Sequence, residues 1–369
     1  MNISGLGELS WKSDVFGVLG EFRSEFRDTS APLAQSVEHR TFNPLVEGSS
    51  PSGRTNLSSQ IGAGKVGTLL EHLIWWLDDL SAGGLGHGHG PIDLVGGVVK
   101  QCCNCETVAM SEFQNIVVTR DGAIATLTLN RPDKRNSLSL ETMLEITRAL
   151  QAIGISDADG VIIAANGPVF SAGHNFADMA GADSDETRHI FEICTDMMDT
   201  LQAIPQPVIA KVHALATAAG CQLVATCDLA IAAESASFAI PGGKGGLFCH
   251  TPLVAVARNL SRKRAIEMAM TGDAIDAKTA ADWGLINRAV PDDQLNVAVL
   301  DLITRATQGS ILSKAIGKQT FYDQINMAQD QAYDFAIDIM ADAAASPDAQ
   351  EGIDAFLNKR SAVFTQRPN

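Results

Sequence analysis

Residues 110–369 are predicted to form an α/β core followed by a helical tail. Three observations carry this prediction. Short strand-like runs recur, β-rich at Ile116–Thr119 and Ala123–Leu129 and continuously apolar or nearly so at Val161–Ala165, Val208–Val212 and Leu229–Ala233. Between them lie longer segments whose apolar residues return at helical spacing. Beyond Thr251 the strand-like runs stop and helical spacing takes over.

Taken in order, Asp121-Gly122 separates the first two runs and is a hairpin turn signal. Leu140–Ile153 has the spacing of an amphipathic helix, and Ser139 is placed to cap it. Val161–Ala165 is a short, continuous apolar strand of the buried kind. Asp185–Ala203 reads as a helix that stops before Pro205. After the strands at 208 and 229, helices are expected at Arg262–Met270, Asp276–Trp283, Gln294–Thr307, Ser310–Ala328, Gln329–Ser346 and Asp348–Asn358.

Composition narrows the function. The 369 residues are 46% hydrophobic, enough for a full core, and carry 27 Lys and Arg against 43 Asp and Glu, a formal charge of −16. No stripe of basic residues is present to neutralise phosphates, so nucleic acid is not an expected partner. No window reaches about 18 uninterrupted apolar residues, so no membrane span is expected. Seven unevenly placed cysteines do not make a disulfide framework. A soluble, intracellular protein is the expectation: cytoplasmic in a bacterium, in the mitochondrial matrix in a eukaryote.

Residues 1–109 differ from the rest. They hold half of the 32 glycines and three of the four tryptophans, with only Leu69–Leu80 reading as an amphipathic helix. His87, His89, Cys102, Cys103 and Cys105 match no zinc-ligand spacing, so no metal is expected. Residues 33–55 resemble a tRNA gene translated in frame. Leu33–Glu38 can be encoded as a D-arm, and Arg40–Pro44 as a paired stem around a seven-base loop. Glu47–Ser52 can be encoded as a T-arm. Three arms in the correct order imply that 1–109 is an upstream extension and that the functional domain is 110–369.

Three segments of that domain could carry chemistry. Leu129–Leu138 (LNRPDKRNSL) follows the hairpin, and Phe170–Phe176 (FSAGHNF) follows the third strand. Val212–Leu223 (VHALATAAGCQL), closing on Cys227-Asp228-Leu229, follows the fourth. Gly173 and Ala218-Ala219-Gly220 are small residues at strand-to-helix turns, where backbone can approach a ligand. Free N–H groups at such a turn suit an anion. In this order the segments resemble the enoyl-CoA hydratase/isomerase (crotonase) family across essentially all of 110–369. The run from Pro241 to Pro252 resembles the branch called enoyl-CoA hydratase domain-containing protein 3.

That resemblance implies a spiral of ββα units with a C-terminal helical region that trimerises, giving a homotrimer or a pair of trimers. It implies an acyl-CoA substrate and no cofactor beyond the coenzyme A it carries. The backbone N–H groups of His174 and Ala219 would hold the thioester oxygen. Ala172, Gly173, Asn175, Phe176, Ala218, Ser137 and His250 would lie around the substrate, with Lys134 and Arg135 beside a turn facing CoA. The family's two catalytic glutamates would fall at Gln222 and Gly242, and members of the resembled branch share their loss. An amide moves no proton near neutral pH, and glycine has no side chain. His174, His213, Cys249 and His250 are the groups that could replace them. Three functions follow: hydratase or isomerase, another enolate-forming reaction such as decarboxylation, or acyl-CoA binding without catalysis. A chain starting at Met110 is expected to fold and bind acyl-CoA as the full chain does; intact mass of the native protein showing 1–109 present would overturn the start-site reading.

Overall fold

The computed structural model describes residues 113–368. The tRNA-like stretch, the Leu69–Leu80 segment and the His/Cys cluster lie outside the described residues, as does the start of the domain at Met110.

Strands β1 (Ile116–Asp121) and β2 (Ile124–Leu129) pair antiparallel, with Asp121 opposite Ile124. The turn is therefore Gly122-Ala123, one residue later than the sequence signal, with Gly122 at φ 56°. From β2 the sheet runs parallel through β3 (Gly160–Ala165), β4 (Val208–Val212), β6 (Leu229–Ala233) and β9 (Arg288–Val290). A second, three-stranded sheet joins β5 (Ala216–Thr217), β7 (Ser237–Ala239) and β8 (Ile275–Asp276). β5, β7, β8 and β9 are two or three residues long, too short for any alternation to mark them, and none was expected.

Successive residues of a strand face opposite sides, so β3 feeds two cores. Val161 and Ile163 enter the main core, while Ile162 and Ala164 join Ile209, Ile231 and Ala233 on the other face. Helix α1 (Leu140–Gly154) covers the main core with Met143, Ile146, Ala149, Leu150 and Ile153, and Ser139 caps it by accepting from the Thr142 N–H. Glu145 also lies on its buried face. Its carboxylate accepts from the Gln114 and Asn115 N–H groups at 3.0 and 2.8 Å, which ties the entering chain to the helix.

Helix α2 (Phe176–Met179) is a single turn, and α3 (Ser184–Ala203) opens with a reciprocal cap between Asp183 and Glu186. Helix α4 (Ala219–Thr226) is buried along its whole length. Then come α5 (His250–Asn259), which is not among the helices expected from the sequence, α6 (Arg262–Thr271) and α7 (Ala277–Trp283). Helix α8 (Leu295–Thr307) sets Leu295, Val299 and Ile303 against the outer sheet face. The chain closes with α9 (Ile311–Gln324), α10 (Gln329–Ala344) and α11 (Pro347–Leu357), each ending one to four residues before its expected limit.

The tail is only partly free. In α9, Lys318 Nζ donates to the carbonyls of Leu201 and Gln206 and pairs with Asp228 at 2.8 Å. Gln319 Nε2 donates to the Gln202 and Ala203 carbonyls. Side chains of α9 thus satisfy the orphan carbonyls that end α3, where a cation is also favoured by the helix dipole.

Candidate active site

Two segments meet at the site. Leu138 and His174 form an isolated parallel bridge in which Leu138 N–H donates to the Gly173 carbonyl and Asn175 N–H to the Leu138 carbonyl. A trans peptide points its carbonyl and N–H in opposite directions. The His174 N–H therefore faces away from Leu138. At the second segment, the Ala218 carbonyl accepts from the Gln222 N–H inside α4, so the Ala219 N–H at the other end of that peptide leaves the helix start. Among the described residues neither N–H has a hydrogen-bond acceptor. A Cβ added to Gly173, at φ 82°, would stand 2.9 Å from the Ala219 nitrogen and 2.8 Å from the Ala218 Cβ. Only glycine lets the two segments come this close.

Ala218 sits at φ 52° and ψ −122°, a region for which an L side chain is poorly suited. Strain of this kind costs on the order of 1–3 kcal/mol and persists where the surroundings enforce it. Here the Ala218 N–H is held by the Ala239 carbonyl at 2.9 Å. Ala218→Gly is expected to raise stability by about 1 kcal/mol, the strain relieved less the extra freedom of glycine in the unfolded chain. Equilibrium urea unfolding reads it.

The hollow beside these segments has a volume of about 240 Å³. Of the residues expected around the ligand, Ala172, His174, Phe176, Ala218, Gly242 and His250 line it. Ala219 and Gln222 lie buried behind that surface. Lys134 and Arg135 are exposed on a neighbouring turn, joined to the site where the Ala172 N–H donates to the Arg135 carbonyl. The turn is held by Asn136, whose side chain donates to the Asn166 and Val169 carbonyls and accepts from the Arg131 N–H. Ser137 is half-buried in the same turn. Asn175 caps α2 by accepting from the Ala177 N–H and donates to Asp178, so its side chain serves the backbone. His213 binds the Gly167 carbonyl at 2.8 Å and does not line the hollow.

Both positions at which the sequence resemblance puts the family's glutamates are closed to one. Gln222 is buried with its Oε1 unpartnered. Gly242 has no room for a side chain, because a Cβ would lie 2.1 Å from the Leu247 carbonyl and 2.7 Å from Cys249 Sγ. Placing a glutamate there would require the 242–249 loop to move. Among the described residues no Asp or Glu lines the hollow. Cys249 does line it, but its thiol accepts from the Gly242 N–H at 3.2 Å and burial pushes its pKa up. Burial likewise pushes the Cys221 thiol up to about 12. Neither is poised as a thiolate.

Burial also alters the ionisation of His174. Its Nε2 is buried without a partner, and its ring meets Phe191 edge-on, centroids 5.3 Å apart. Burial lowers its pKa to about 4, with nearby Asp178 pulling the other way. In the unfolded chain the ring titrates near 6.5. Stability from this group is thus complete above pH 6.5, falls as the unfolded chain alone takes up a proton, and levels off below pH 4. The loss should total about 3 kcal/mol. His174→Leu is expected to flatten that stretch of the stability-versus-pH curve measured by chemical denaturation.

Sequence reasoning missed the rest of the wall: Met179, Phe191, Leu247, Phe248, Thr251 and Pro252. Phe191 carries a signal only in hindsight. It stands three residues before buried Cys194 and reads as part of the helix's core stripe.

Residues 119–367 match the enoyl-CoA hydratase/isomerase family model, and the chain belongs to that family. The fold is accordingly the crotonase fold, α/β with a helical C-terminal region. Within the family it is similar to enoyl-CoA hydratase domain-containing protein 3, mitochondrial. It is 42% identical to the Danio rerio protein over 252 residues, covering 67% of this chain and 86% of that one. It is 41% identical to the Homo sapiens protein over 251 residues, 66% and 82% of the two chains. The crystal structure of human enoyl-CoA hydratase domain-containing protein 3 superposes with a TM-score of 0.66 at 39% identity, covering 68% of this chain and 100% of that one. An enoyl-CoA hydratase structure from Mycobacterium smegmatis gives 0.67 at 40% identity, over 68% and 99%.

Proposed function

We propose that the protein binds an acyl-CoA thioester whose carbonyl oxygen sits between the N–H groups of His174 and Ala219. The observation that carries this reading is the pair of unpaired N–H groups brought close by Gly173, His174 lining the apolar hollow and Ala219 buried just behind its wall. Two preorganised donors stabilise the negative charge that grows on a thioester oxygen as an enolate forms. The hollow takes the acyl chain, and Lys134 and Arg135 on the adjoining turn are placed for the phosphates of CoA. With no carboxylate among the described residues that line the wall, the site favours enolate chemistry that needs no strong base, such as decarboxylation, over isomerisation or hydration of a double bond.

A thioester and its matching thioether of CoA test this. The thioether keeps the chain and the nucleotide but lacks the oxygen. Each hydrogen bond lost is worth about 0.5–1.5 kcal/mol, so the thioether should bind roughly 5- to 150-fold more weakly. Equal affinities by calorimetry would place the thioester elsewhere. Proline at Ala219 is a poorer test, because its ring would meet the Cβ of Ala218, already crowded at positive φ.

The same reading extends to assembly and address. Helices α9 to α11 leave Phe321, Ile337, Met340 and Phe356 at least half exposed, and these would pack between copies of the chain in a trimer. Light scattering on the purified protein checks it. The mitochondrial relatives support the matrix as the location if the source is eukaryotic.

A further inference from the structure

Phe191 lines two hollows at once. One is the apolar cavity of about 240 Å³ described above. The other is an open groove of about 660 Å³ along α3, passing Asp183, Thr187, Arg188 and Thr195. The Phe191 ring stands between them, half-buried and held edge-on against His174 at an interplanar angle of 75°. The cavity's remaining walls near it, from Met179, Leu247 and Phe248, offer a chain apolar contact and no hydrogen bond.

We propose that Phe191 sets the acyl-chain length the protein accepts, by closing the cavity against the groove on α3. The inference rests on the acyl-CoA reading above. A cavity of this size, closed at one end by the Phe191 ring, suits a short acyl chain. Each methylene buried there should raise affinity about fourfold, until the chain end reaches the ring. Beyond that length a chain must displace Phe191 or fold back, and affinity stops rising. Removing the ring joins the two spaces, and the chain continues over the α3 surface.

The test is calorimetric titration of the full-length protein with saturated acyl-CoAs from butyryl to dodecanoyl. Saturated chains avoid turnover at a double bond. Wild type is expected to gain about fourfold per methylene and then reach a break. Phe191→Ala should move the break at least two carbons longer, and Phe191→Trp should move it shorter. A side chain that is half-buried leaves the main core intact in both variants, and Phe191→Leu replaces alanine in the test if Phe191→Ala does not fold. An identical break in wild type and variants overturns the role of Phe191 while leaving the acyl-CoA reading standing. Failure of wild type to bind any member of the series overturns that reading, and the role of Phe191 with it.

Discussion

Lys318→Met is expected to destabilise the folded protein by about 3–5 kcal/mol, because it strands a buried carboxylate. The Lys318 and Asp228 side chains are only 9% and 15% exposed, and their charged atoms are 2.8 Å apart. Asp228 also accepts from the Tyr322 hydroxyl at 2.7 Å and from the Val208 N–H at 2.7 Å. Burial pulls the Lys318 pKa down and the Asp228 carboxylate pushes it back up. Methionine keeps the packing of the stem but leaves Asp228 without its counter-charge. It also strips the Leu201 and Gln206 carbonyls of their donor. In a domain of this size the loss should lower the melting temperature by roughly 6–20 °C. Lys318→Met with Asp228→Asn should melt higher than Lys318→Met alone, since the pair is then neutral on both sides. A single variant that melts within a degree or two of wild type would show that α9 contributes little to holding the end of α3.

Hydration of crotonyl-CoA by the wild-type protein is expected to run about 100- to 10,000-fold below an ordinary enzyme rate, the contribution of one positioned acid or base. Ordinary here means about ten turnovers per second. Loss of enoyl-thioester absorbance measures it directly. Water addition needs a group to take a proton from water and one to give a proton to carbon. Among the described residues the cavity wall supplies His174, His250 and the Cys249 thiol but no carboxylate. With a pKa of about 4, His174 is a weak base and is neutral at pH 7. Gln222→Glu should recover little. The new carboxylate would be buried where Gln222 Oε1 already lacks a partner, and no second acid can enter at Gly242 beneath the Leu247 carbonyl. Turnover near ten per second by wild type would make His250 the first candidate for the missing base.

Much of this protein can be read without coordinates, for a local reason. Apolar periodicity, a capping Ser139 and a Pro205 stop are properties of a few consecutive residues, and β1 to β4, β6, α1 and α3 lie where those signals put them. The family, too, was legible, because its three motifs sit in short strand-to-helix turns. The placement of His174 next to Gly173, and of Ala219 at a helix start, needed only those turns.

What the sequence could not determine depends on residues far apart in the chain. Strands β5, β7, β8 and β9 exist only because a neighbour completes their hydrogen bonds, so two or three residues carry no pattern of their own. The pairing of Lys318 with Asp228 joins a late helix to the motif that precedes β6. Gly242 looked like a simple deletion of a side chain, and the fold shows the space beside it filled by Leu247 and Cys249. Phe191 carries no local signal that sets it apart in α3, yet it faces a cavity whose other walls come from the 172–174 turn, α2, Ala218 and the 242–252 segment. Local sequence encodes which element forms and where a backbone donor stands. Which side chains share a cavity, and which charges are buried together, is settled by packing between distant segments, where volume and desolvation decide.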